Sequence, residues 1–505
     1  MRPLGLMAIH SYLVRELGDA IEVKLFDYSD WPEDGFDQLD RDGVAGFDLV
    51  GLCAYSVNFL ITRAWALEIK RRNPMVKTVV GGPHPTALAT HIAENHRDAF
   101  DFVVRGEGER PLTAIVRALM TKERPPRVPG VVFTTALGVV SVGTTDPVPN
   151  LDTVPTPLVP VHSPYPQRLR AFDRKEGRWR NAVPFTSSRG CPFSCTFCSI
   201  RASDSKWRSV SAPRLGEWIS EALVADPTIE HVNFMDADFL IDRHRVIAIG
   251  EMFATLHPGL TWSFSGRVDD LRRLGEPALR RLVDQGLRAV EVGFESGSQE
   301  VLDILGKHVK VQENYDAVAM LQRLDLDMLI DFILFIPDET PEQLRESLEF
   351  LRRTGLSDYQ PFDHFFTHLV QYPGTPLRAH YEEVFHTKFS LDELPNPDHL
   401  FVHESTRRIH EFFLHGFGPM VGRLRSAIER VDAAALDLRE VEPRLAQYLR
   451  IEGVSLRHIP FLVLETLIDN HHANSLLEAV PWLSGFDAHL AHLEELCQRP
   501  ATSAA

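Results

Sequence analysis

The chain has 505 residues, 44% of them hydrophobic and 24% charged, and its formal net charge is −17. This length and composition fit a soluble protein of two or three domains. The acidic balance argues against nucleic-acid binding, which needs clustered positive charge. No apolar run approaches the length of a membrane span. With only five cysteines and no signal-peptide layout, we expect a protein of the reducing cytoplasm.

Residues 1–149 alternate between helix and strand patterns. The periodicity predicts helices at Leu4–Leu17 and at about Arg110–Met120. Between them it predicts a helix that ends at about Arg72 and another that begins at Thr86. It predicts strands at Ile21–Phe26, Asp48–Ala54, Lys77–Gly82 and Phe102–Val104. Such alternation is typical of a doubly wound parallel sheet, in which ligands bind at the carboxyl ends of the strands.

Two of these strand ends are rich in glycine. They read Gly81-Gly82-Pro83-His84-Pro85-Thr86 and Gly106-Glu107-Gly108-Glu109. Glycine lets the backbone approach a ligand closely. The alternative is that both stretches are tight strand-to-helix turns.

Residues 150–181 are predicted to be a linker. Seven prolines between Pro147 and Pro166 indicate a stiff connector without regular structure. Residues 167–181 are charged, and we expect them to be exposed.

Residues 182–385 contain six strand–helix units. The predicted strands are Ala182–Thr186, His231–Met235, Leu260–Ser265, Ala289–Phe294, Met328–Phe335 and His364–Gln371. The predicted helices between them include Pro213–Val224, Glu276–Gln285, Asn314–Arg323 and Pro341–Arg353. Six units predict an open, partial (β/α) barrel with its chemistry at the carboxyl strand ends.

Three cysteines follow the first of these strands on a predicted loop. Cys191, Cys195 and Cys198 have spacings of four and three residues. Three thiolates on one loop can hold three corners of an iron–sulfur cluster and leave the fourth iron open. A zinc site is the alternative, but no fourth ligand with its own local spacing stands nearby.

The motif Cys191-x-x-x-Cys195-x-x-Cys198, with Phe197 before its last cysteine, resembles the signature of the radical S-adenosylmethionine (SAM) superfamily. The resemblance implies a 4Fe–4S cluster held by the three cysteines, with SAM on its open iron. In that family one electron cleaves SAM, and the 5′-deoxyadenosyl radical takes a hydrogen atom from the substrate. It also implies an electron donor such as flavodoxin or ferredoxin.

The N-terminal motifs add a second resemblance. Pro3-Leu-Gly-Leu and the two glycine-rich stretches resemble, in this order, the cobalamin-binding domain of cobalamin-type radical SAM enzymes. The cofactor contacts that it implies are Ser56, Gly81, Gly82, His84, Thr86, Gly106 and Glu107.

The N-terminal region departs from the cobalamin-binding pattern in two ways. The chain has no Asp-x-His-x-x-Gly motif, so we expect His84 to structure its loop rather than to bind cobalt. Family members have a strand before the Pro-Leu-Gly-Leu helix. We therefore expect that the recorded start is late or that a strand is missing.

Residues after the second barrel strand resemble a SAM-binding segment. Asp236-Ala-Asp238-Phe239 is similar to the family's Asp-Asp-x-Phe, which implies that Asp236 and Asp238 bind the SAM amino group. The alternative is that Asp238 or Asp242 caps a helix. Arg267, at the end of the third strand, is expected to meet the SAM carboxylate or a substrate anion, or else to pair with Asp269.

The fourth and fifth strands carry further family motifs. Gly293-Phe-Glu295-Ser296-Gly297 resembles Gly-x-Glu-Ser-Gly, which implies that Glu295 or Ser296 binds ribose hydroxyls. The alternative is a turn with a helix cap. Phe335 and Asp338 stand where the family usually has glycines.

Residues 386–505 read as helical, and we expect them to cap the substrate end of the barrel. His364 and His368 lie four apart on the last predicted strand and therefore on one face, where they meet substrate or pack in the core. The pair His471–His472 has no third ligand close by in the sequence, so we do not expect a metal there.

Three functions follow from these patterns. The leading hypothesis is a cobalamin-dependent radical SAM C-methyltransferase, which methylates an unactivated carbon of a small molecule through methylcobalamin. The second is a radical SAM enzyme with a degenerate cobalamin domain that catalyses dehydration, rearrangement or oxidation of a sugar or another small metabolite. The third is a non-enzymatic iron–sulfur or zinc protein, which would not need the ribose motif. None of the three has a nucleic-acid or membrane partner.

Overall fold

The computed structural model describes residues 3–28, 35–143, 146–162, 169–173, 175–200, 206–358, 368–437, 439, 442–472 and 486–497. The chain divides into two compact units. The first comprises the described parts of Met1–Glu291, Gln322–Asp327 and Gln371–Pro395. The second comprises the described parts of Val292–Leu321, Met328–Val370 and Asn396–Ala505. None of the described helices is long and apolar enough to cross a bilayer.

The first sheet lies in the first unit and has five strands in the order β1-β2-β3-β4-β5. The strands are Leu49–Cys53 (β1), Lys77–Gly81 (β2), Phe102–Val104 (β3), Val131–Thr135 (β4) and Gly138–Ser141 (β5). The accompanying helices are Leu4–Leu17 (α1), Asp37–Arg41 (α2), Phe59–Arg72 (α3), Pro83–Asn95 (α4) and Glu109–Met120 (α5). Strands β1, β2 and β3 run parallel, which brings their carboxyl ends to one edge.

Apolar side chains of the strands and helices form the core of this sheet. Val80 and Val103 of the parallel strands pack with Phe59 of α3 and Ile92 of α4, all fully or almost fully buried. The strand–helix alternation predicted from the sequence is therefore confirmed for β1 to β3 and for the helices between them.

Two details of this region differ from the sequence-based predictions. Ile21–Phe26 is not a strand, because within the described part of the chain its only ladder contact is an isolated parallel bridge between Phe26 and His162. The sheet is also not wholly parallel. Strands β4 and β5 form a hairpin, and β4 pairs antiparallel with β3.

The second sheet has six strands in the order β13-β12-β11-β10-β7-β6. They are Leu169–Asp173 (β6), Arg178–Phe185 (β7), His231–Phe234 (β10), Thr261–Arg267 (β11), Leu287–Glu295 (β12) and Asp327–Phe332 (β13). Strands β7, β10 and β11 are parallel, whereas β6 is antiparallel to β7. Ser188–Arg189 (β8) and Arg208–Ser209 (β9) form a separate antiparallel pair.

The helices of the barrel region follow the predicted pattern closely. They are Ala212–Ala225 (α6), Arg243–Leu256 (α7), Val268–Leu274 (α8), Glu276–Asp284 (α9), Gln299–Ile304 (α10), Val311–Arg323 (α11), Pro341–Thr354 (α12) and Pro376–Val384 (α13). An aromatic core supports the first strands: Trp262 of β11 stacks on Phe253 of α7 at 5.2 Å, and Phe234 of β10 packs against both.

The predicted fold class is confirmed: an N-terminal doubly wound sheet, a partial barrel and a helical C-terminal region. Five of the six predicted barrel strands are present among the described residues. The sixth, His364–Gln371, lies partly outside them, and its described part makes a parallel bridge between His368 and Phe335. Strand β6 and the start of β7 lie inside the stretch predicted as an irregular linker.

The C-terminal region is helical where it is described. Its helices are Glu404–Glu411 (α14), Gly418–Asp437 (α15), Pro443–Asp469 (α16) and Phe486–Cys497 (α17). Its predicted role as a substrate cap stays a prediction, as do the predicted domain boundaries.

Candidate functional site

The three cysteines lie on the loop that follows β8. All three are partly buried, and none of them forms a disulfide bond. Two backbone hydrogen bonds stabilise the loop. Within it, the Cys198 amide donates to the Cys195 carbonyl at 3.4 Å, and from α13 the Leu377 amide donates to the Thr196 carbonyl at 3.0 Å. A donor set of three thiols on one braced loop fits a cluster with one open iron.

Arg267, at the end of β11, reaches the cysteine loop. Its Nη1 lies 3.2 Å from the Cys195 Sγ, and its guanidinium lies 4.0 Å above the Phe193 ring. Its Nε also donates to Asp269 at 2.9 Å. The structure therefore contains the Asp269 pair that the sequence offered as an alternative, and it adds a contact to a cysteine sulfur that the sequence did not reveal.

Asp236 supports the backbone that leads into the cysteine loop. Its Oδ1 accepts hydrogen bonds from the Ser187 and Ser188 amides at 2.5 and 3.0 Å, and its Oδ2 accepts one from the Ser187 hydroxyl at 2.5 Å. Arg245 donates to the Ser187 hydroxyl at 2.6 Å. Both oxygens of Asp236 are thus engaged within the protein, so its geometry is that of a structural brace.

Asp238, two residues further along, is different. It is 1% exposed, its Oδ1 accepts from the Leu240 amide at 2.9 Å, and among the described residues no N–H group donates to its buried Oδ2. Burial, together with the neighbouring Asp270 carboxyl, raises the pKa of Asp238 well above its ordinary value. A buried carboxyl oxygen without an N–H donor is costly, and the amine of a bound ligand would satisfy it.

Asp238 also acts on the first cysteine. Burial raises the pKa of the Cys191 thiol to about 11, and the Asp238 carboxylate adds to that rise. The two side chains are therefore near enough to interact electrostatically. A ligand amine at Asp238 would lie close to the first cysteine, which fits SAM.

Glu295 is the last residue of β12, Ser296 follows it, and both belong to the second unit. Glu295 has a positive φ of 63°, an uncommon conformation for this residue type, and its Oε1 accepts from Lys307 Nζ at 2.8 Å. The Ser296 hydroxyl is fully buried, contacts the Ser347 hydroxyl at 3.0 Å and accepts from the Ser298 amide at 3.0 Å. The Ser296 hydroxyl is thus already hydrogen-bonded within the protein. Of the two residues, only Glu295 has an oxygen, Oε2, without a hydrogen bond among the described residues.

The glycine-rich turns of the first sheet are joined by one hydroxyl group. Thr86 donates to the Gly82 carbonyl at 2.8 Å and accepts from the Gly106 amide at 2.9 Å. Gly82 has a φ of 110°, and a Cβ there would lie 2.6 Å from the Ala54 carbonyl oxygen. Gly81, the last residue of β2, accepts a hydrogen bond from the Ala54 amide at 2.8 Å. These contacts hold three strand ends in one fixed surface.

His84 lies within this surface. Its Nδ1 lies 3.0 Å from the Ser56 hydroxyl, and its ring stacks on Phe59 at 4.3 Å. Its Nε2 is buried without a partner among the described residues. Burial lowers the pKa of His84 to about 4, so the ring is neutral at pH 7. Because Nε2 does not face an open surface, the arrangement fits the loop-structuring role expected from the sequence.

An exposed apolar surface flanks the Ser56 turn. Four large side chains at the end of β1 and the start of α3 are 42–68% exposed: Tyr55, Val57, Leu60 and Ile61. Exposed apolar groups gathered at the ligand edge of a sheet indicate a surface that another molecule covers. A large, flat ligand such as a corrin ring fits it.

Glu107 connects this sheet edge to the cysteine loop. Its carboxylate accepts from Arg208 at 2.6 Å and from the Val148 amide at 2.8 Å, and it lies 3.1 Å from Arg189. Burial alone would raise the pKa of Glu107, but the two arginines and the amide outweigh it and lower the pKa. Both oxygens are engaged, so this predicted cofactor contact is geometrically an intramolecular tie.

Sequence reasoning missed three residues of this site. They are Arg189, Phe193 and Arg245, whose partners Glu107, Arg267 and Ser187 stand 58 to 82 positions away in the chain. For Arg189 and Phe193 the available signal was their position beside the first cysteine, whereas Arg245 lies far from the motif. His364 and His368 were predicted to meet substrate or to pack in the core. His364 lies outside the described residues, whereas His368 is partly buried and forms a bridge with Phe335.

Comparison with known proteins gives two family matches. A model of the radical SAM superfamily matches residues 185–351, and a model of the B12 binding domain matches residues 1–116. These families imply a 4Fe–4S cluster, SAM and cobalamin as cofactors, as the sequence motifs predicted.

Two relatives and one solved structure show the extent of the similarity. An uncharacterized methyltransferase of Pyrococcus horikoshii is 29% identical over 334 residues, 65% of this chain and 68% of that protein. The anaerobic magnesium-protoporphyrin IX monomethyl ester cyclase of Cereibacter sphaeroides is 27% identical over 309 residues, 60% of this chain but only 48% of that protein.

The solved structure is that of the cobalamin-dependent S-adenosylmethionine radical enzyme OxsB with aqua-cobalamin and S-adenosylmethionine bound. It is 18% identical with a TM-score of 0.71, covering 98% of this chain and 76% of that one. At this identity the likeness shows the fold. Together with the two family matches and the cysteine motif, it leads to one conclusion: the chain belongs to the radical SAM enzymes that carry a cobalamin-binding domain.

Proposed function

We propose that this enzyme is a cobalamin-dependent C-methyltransferase that methylates an unactivated carbon of a small molecule. The observation that carries the proposal is the tie from Glu107 to Arg189 and Arg208. It anchors the loop after β3, at the ligand edge of the B12-type sheet, to the residues directly before Cys191. Methyl transfer to a substrate radical needs the methyl donor and the radical source held in fixed geometry.

In this proposal each part of the first unit has a defined task. Cys191, Cys195 and Cys198 hold the cluster, and Arg267 places a cation beside the Cys195 sulfur. Asp238 receives the SAM amino group with its Oδ2. When bound, the cluster and SAM supply hydrogen-atom abstraction, and cobalamin supplies the methyl group.

The residues of the sheet edge form the floor for cobalamin. Thr86 keeps the Gly82 and Gly106 turns in register, and Ser56 orients the His84 ring. The exposed apolar side chains beside Ser56 would lie against the corrin ring. Glu295 of the second unit is proposed as a ribose contact. Asp236 and Ser296 are proposed to hold their loops rather than to touch SAM.

The relatives support this reading at different levels. The Pyrococcus horikoshii relative is named as a methyltransferase. The Cereibacter sphaeroides relative is named as a cyclase, and this favours a second candidate, a radical SAM reaction without methyl transfer. For either candidate we propose a small-molecule substrate, a cytoplasmic location and reduction by a flavodoxin- or ferredoxin-type donor.

Corrinoid content and SAM consumption test the proposal. The protein is reconstituted anaerobically with iron and sulfide, supplied with hydroxocobalamin and desalted, and the visible spectrum then gives corrinoid per chain. We expect about one corrinoid per chain, and formation of both 5′-deoxyadenosine and S-adenosylhomocysteine after reduction. Cys198→Ala is the matched variant, since it should abolish SAM cleavage while corrinoid remains bound.

Two results would decide against methyl transfer. One is an absence of corrinoid while the cluster is intact and SAM is still cleaved. The other is bound corrinoid with formation of 5′-deoxyadenosine but never of S-adenosylhomocysteine. Either result would favour the second candidate.

A further inference from the structure

Two histidines of α4 and one distant aspartate meet in the first unit. His91 Nε2 and His96 Nε2 each lie 2.8 Å from the same oxygen, Oδ1 of Asp392. The three potential ligand atoms all lie within 4.8 Å of one another. The aspartate is 301 and 296 residues away from these histidines in the chain, so only the fold brings the three together.

The local backbone explains how both rings point the same way. His91 lies in the last turn of α4, and His96 directly follows the helix with non-helical angles of φ −126° and ψ 31°. The two rings pack edge to face with centroids 5.7 Å apart. Asp392 is fixed by a turn in which its own amide donates to the Ser390 hydroxyl at 3.2 Å.

The second nitrogen of the His96 ring fits a metal site better than that of His91. The Asn95 side-chain nitrogen donates to the His91 carbonyl at 2.9 Å and lies 3.2 Å from His91 Nδ1. His96 is 6% exposed, and its Nδ1 is buried without a partner among the described residues. The pocket wall is apolar on that side, since the His96 ring packs edge to face on Phe59 at 5.4 Å.

Hydrogen bonding alone leaves this cluster poorly satisfied. One carboxylate oxygen would accept from two imidazoles while a second nitrogen of the buried His96 ring stays unpaired. Two imidazoles and one carboxylate are instead ligands that Zn²⁺ accepts, with bonds of about 2.0–2.1 Å. Insertion of the ion needs each histidine nitrogen to move only about half an ångström away from the Asp392 oxygen, because ligands around a tetrahedral zinc lie roughly 3.3 Å apart.

We propose that His91, His96 and Asp392 form a Zn²⁺ site that fastens α4 to the segment after α13. The partly exposed His91 and Asp392 leave room for water to complete the coordination. The site uses none of the cysteines, the proposed SAM contacts or the exposed apolar side chains described above, and it adjoins the His84 ring through Phe59.

The position of the site suggests what it stabilises. Helix α4 begins with the Gly82 and His84 turn, and α13 begins beside Leu377, which donates to the cysteine loop. Arg378 of α13 donates to the Ser390 carbonyl at 2.6 Å, which connects that helix to the Asp392 turn. A bound ion would therefore hold the B12-type sheet edge and the brace of the cysteine loop in a fixed relation.

Zinc content and the identity of its ligands test the site. The full-length, anaerobically reconstituted protein is dialysed against micromolar Zn²⁺, and metal is counted by mass spectrometry. Zn²⁺ binds nitrogen and oxygen sites more tightly than Fe²⁺ does, so iron left from reconstitution is displaced. We expect about one zinc per chain, and X-ray absorption should show only nitrogen and oxygen ligands near 2.0 Å.

Three variants complete the test. Asp392→Asn and His91→Ala change partly exposed side chains and should weaken zinc binding by roughly 100-fold or more, because even losing a supporting contact costs 10–100-fold. His472→Ala is the control, since it removes an exposed histidine from the His471–His472 pair, which has no carboxylate ligand in a described cluster. Zinc should raise the unfolding midpoint of the wild type and of His472→Ala, but not of Asp392→Asn.

Three results would overturn the proposal. The first is a wild-type protein that retains almost no zinc after dialysis. The second is a zinc content that is unchanged in Asp392→Asn and His91→Ala. The third is sulfur scattering near 2.3 Å, which would place the zinc on the cysteines instead.

Discussion

The Glu107 carboxylate lies 3.1 Å from the Arg189 guanidinium, and Arg189 stands two residues before the first cysteine of the cluster loop. Arg189 faces Arg208 across the β8–β9 pair, and Arg208 donates to the same carboxylate at 2.6 Å. Arg189 also pairs with Glu109 at 2.7 Å, so two acidic side chains compensate the two facing cations. The loop after β3 cannot shift without disturbing the backbone that leads into the cysteines.

Glu107→Gln should destabilise the protein and weaken cluster retention together. The change removes the carboxylate that pairs with Arg208, whereas Arg189 keeps its pair with Glu109. Breaking a buried ion pair is costly, and we expect a loss of about 3 kcal/mol in the free energy of unfolding. Anaerobic denaturant titration measures the loss, and iron per chain after desalting measures retention. Glu276→Gln, which removes surface ion pairs with Arg280 and Arg323, is the matched control and should change neither quantity measurably. If the free energy of unfolding is unchanged in Glu107→Gln, the ion pairs of Glu107 do not contribute to stability.

Arg267→Lys should lower the reduction potential of the cluster. The lysine keeps the charge but loses the planar fork that contacts Cys195 and stacks on Phe193, and hydrogen bonds to ligand sulfurs raise the potential of such clusters. A redox titration followed by electron paramagnetic resonance measures the shift. Arg280→Lys, on an exposed face of α9, should leave the potential unchanged. A potential that rises or stays constant in Arg267→Lys contradicts this account.

His84 should not be an axial ligand of cobalt. Its Nδ1 is held by Ser56 and its Nε2 is buried, so neither nitrogen is presented to a bound corrin. The cob(II)alamin spectrum of the loaded protein should therefore lack the nitrogen splitting of a coordinated imidazole. His84→Gln should leave that spectrum unchanged while reducing corrinoid affinity, and Ser56→Ala should reduce affinity in the same direction. Splitting that is present in the wild type and disappears in His84→Gln would refute the assignment.

Glu339→Gln should remove a pH-dependent cost from folding. Glu339 is fully buried, and although it accepts from the Ile336 amide at 3.2 Å, burial raises its pKa well above the ordinary value. The folded protein then keeps a proton that the unfolded chain has lost, so stability falls as pH rises from the ordinary glutamate pKa of about 4.3 towards the raised one. Each unit of that rise costs about 1.36 kcal/mol.

The measurement compares unfolding free energies of the wild type and Glu339→Gln at pH 5 and pH 8. The advantage of the glutamine variant should grow with pH. Glu342→Gln, which changes an exposed carboxylate at the start of α12, serves as the control. If the difference between wild type and Glu339→Gln is constant with pH, Glu339 is ionised in the folded protein.

The positions of the motifs were well predicted from the sequence. Which of their side chains are free to bind a ligand was not. The spacing of Cys191, Cys195 and Cys198 led to the cluster loop, and the strand ends at Gly82 and Gly106 led to the ligand edge. Sequence could not tell that both oxygens of Asp236 accept hydrogen bonds from Ser187 and Ser188, 49 and 48 residues away, while no N–H group of the described residues donates to one oxygen of Asp238. Hydrogen bonds over such separations depend on the tertiary fold, which a local motif does not encode.

The misassigned strand at Ile21–Phe26 has a related cause. Its alternation of apolar and polar residues correctly indicates one-sided burial, since Leu25 is buried and Lys24 exposed. A strand also requires a partner, and here the only backbone partner among the residues that the structure describes is His162, whose amide and carbonyl pair with Leu25 and Asp27. Alternation reports burial, whereas pairing depends on residues far along the chain.

Strand β6 has a consequence for how the protein behaves at high concentration. Without it, β7 would be a long parallel edge strand with a row of unpaired backbone groups, a template for joining to another molecule. The short antiparallel β6 covers that row and is secured by the Arg180–Asp173 pair at 2.7 Å, where both side chains are almost fully buried. Removing residues 169–173 should therefore expose the edge of β7 and cause molecules of the protein to associate through that edge.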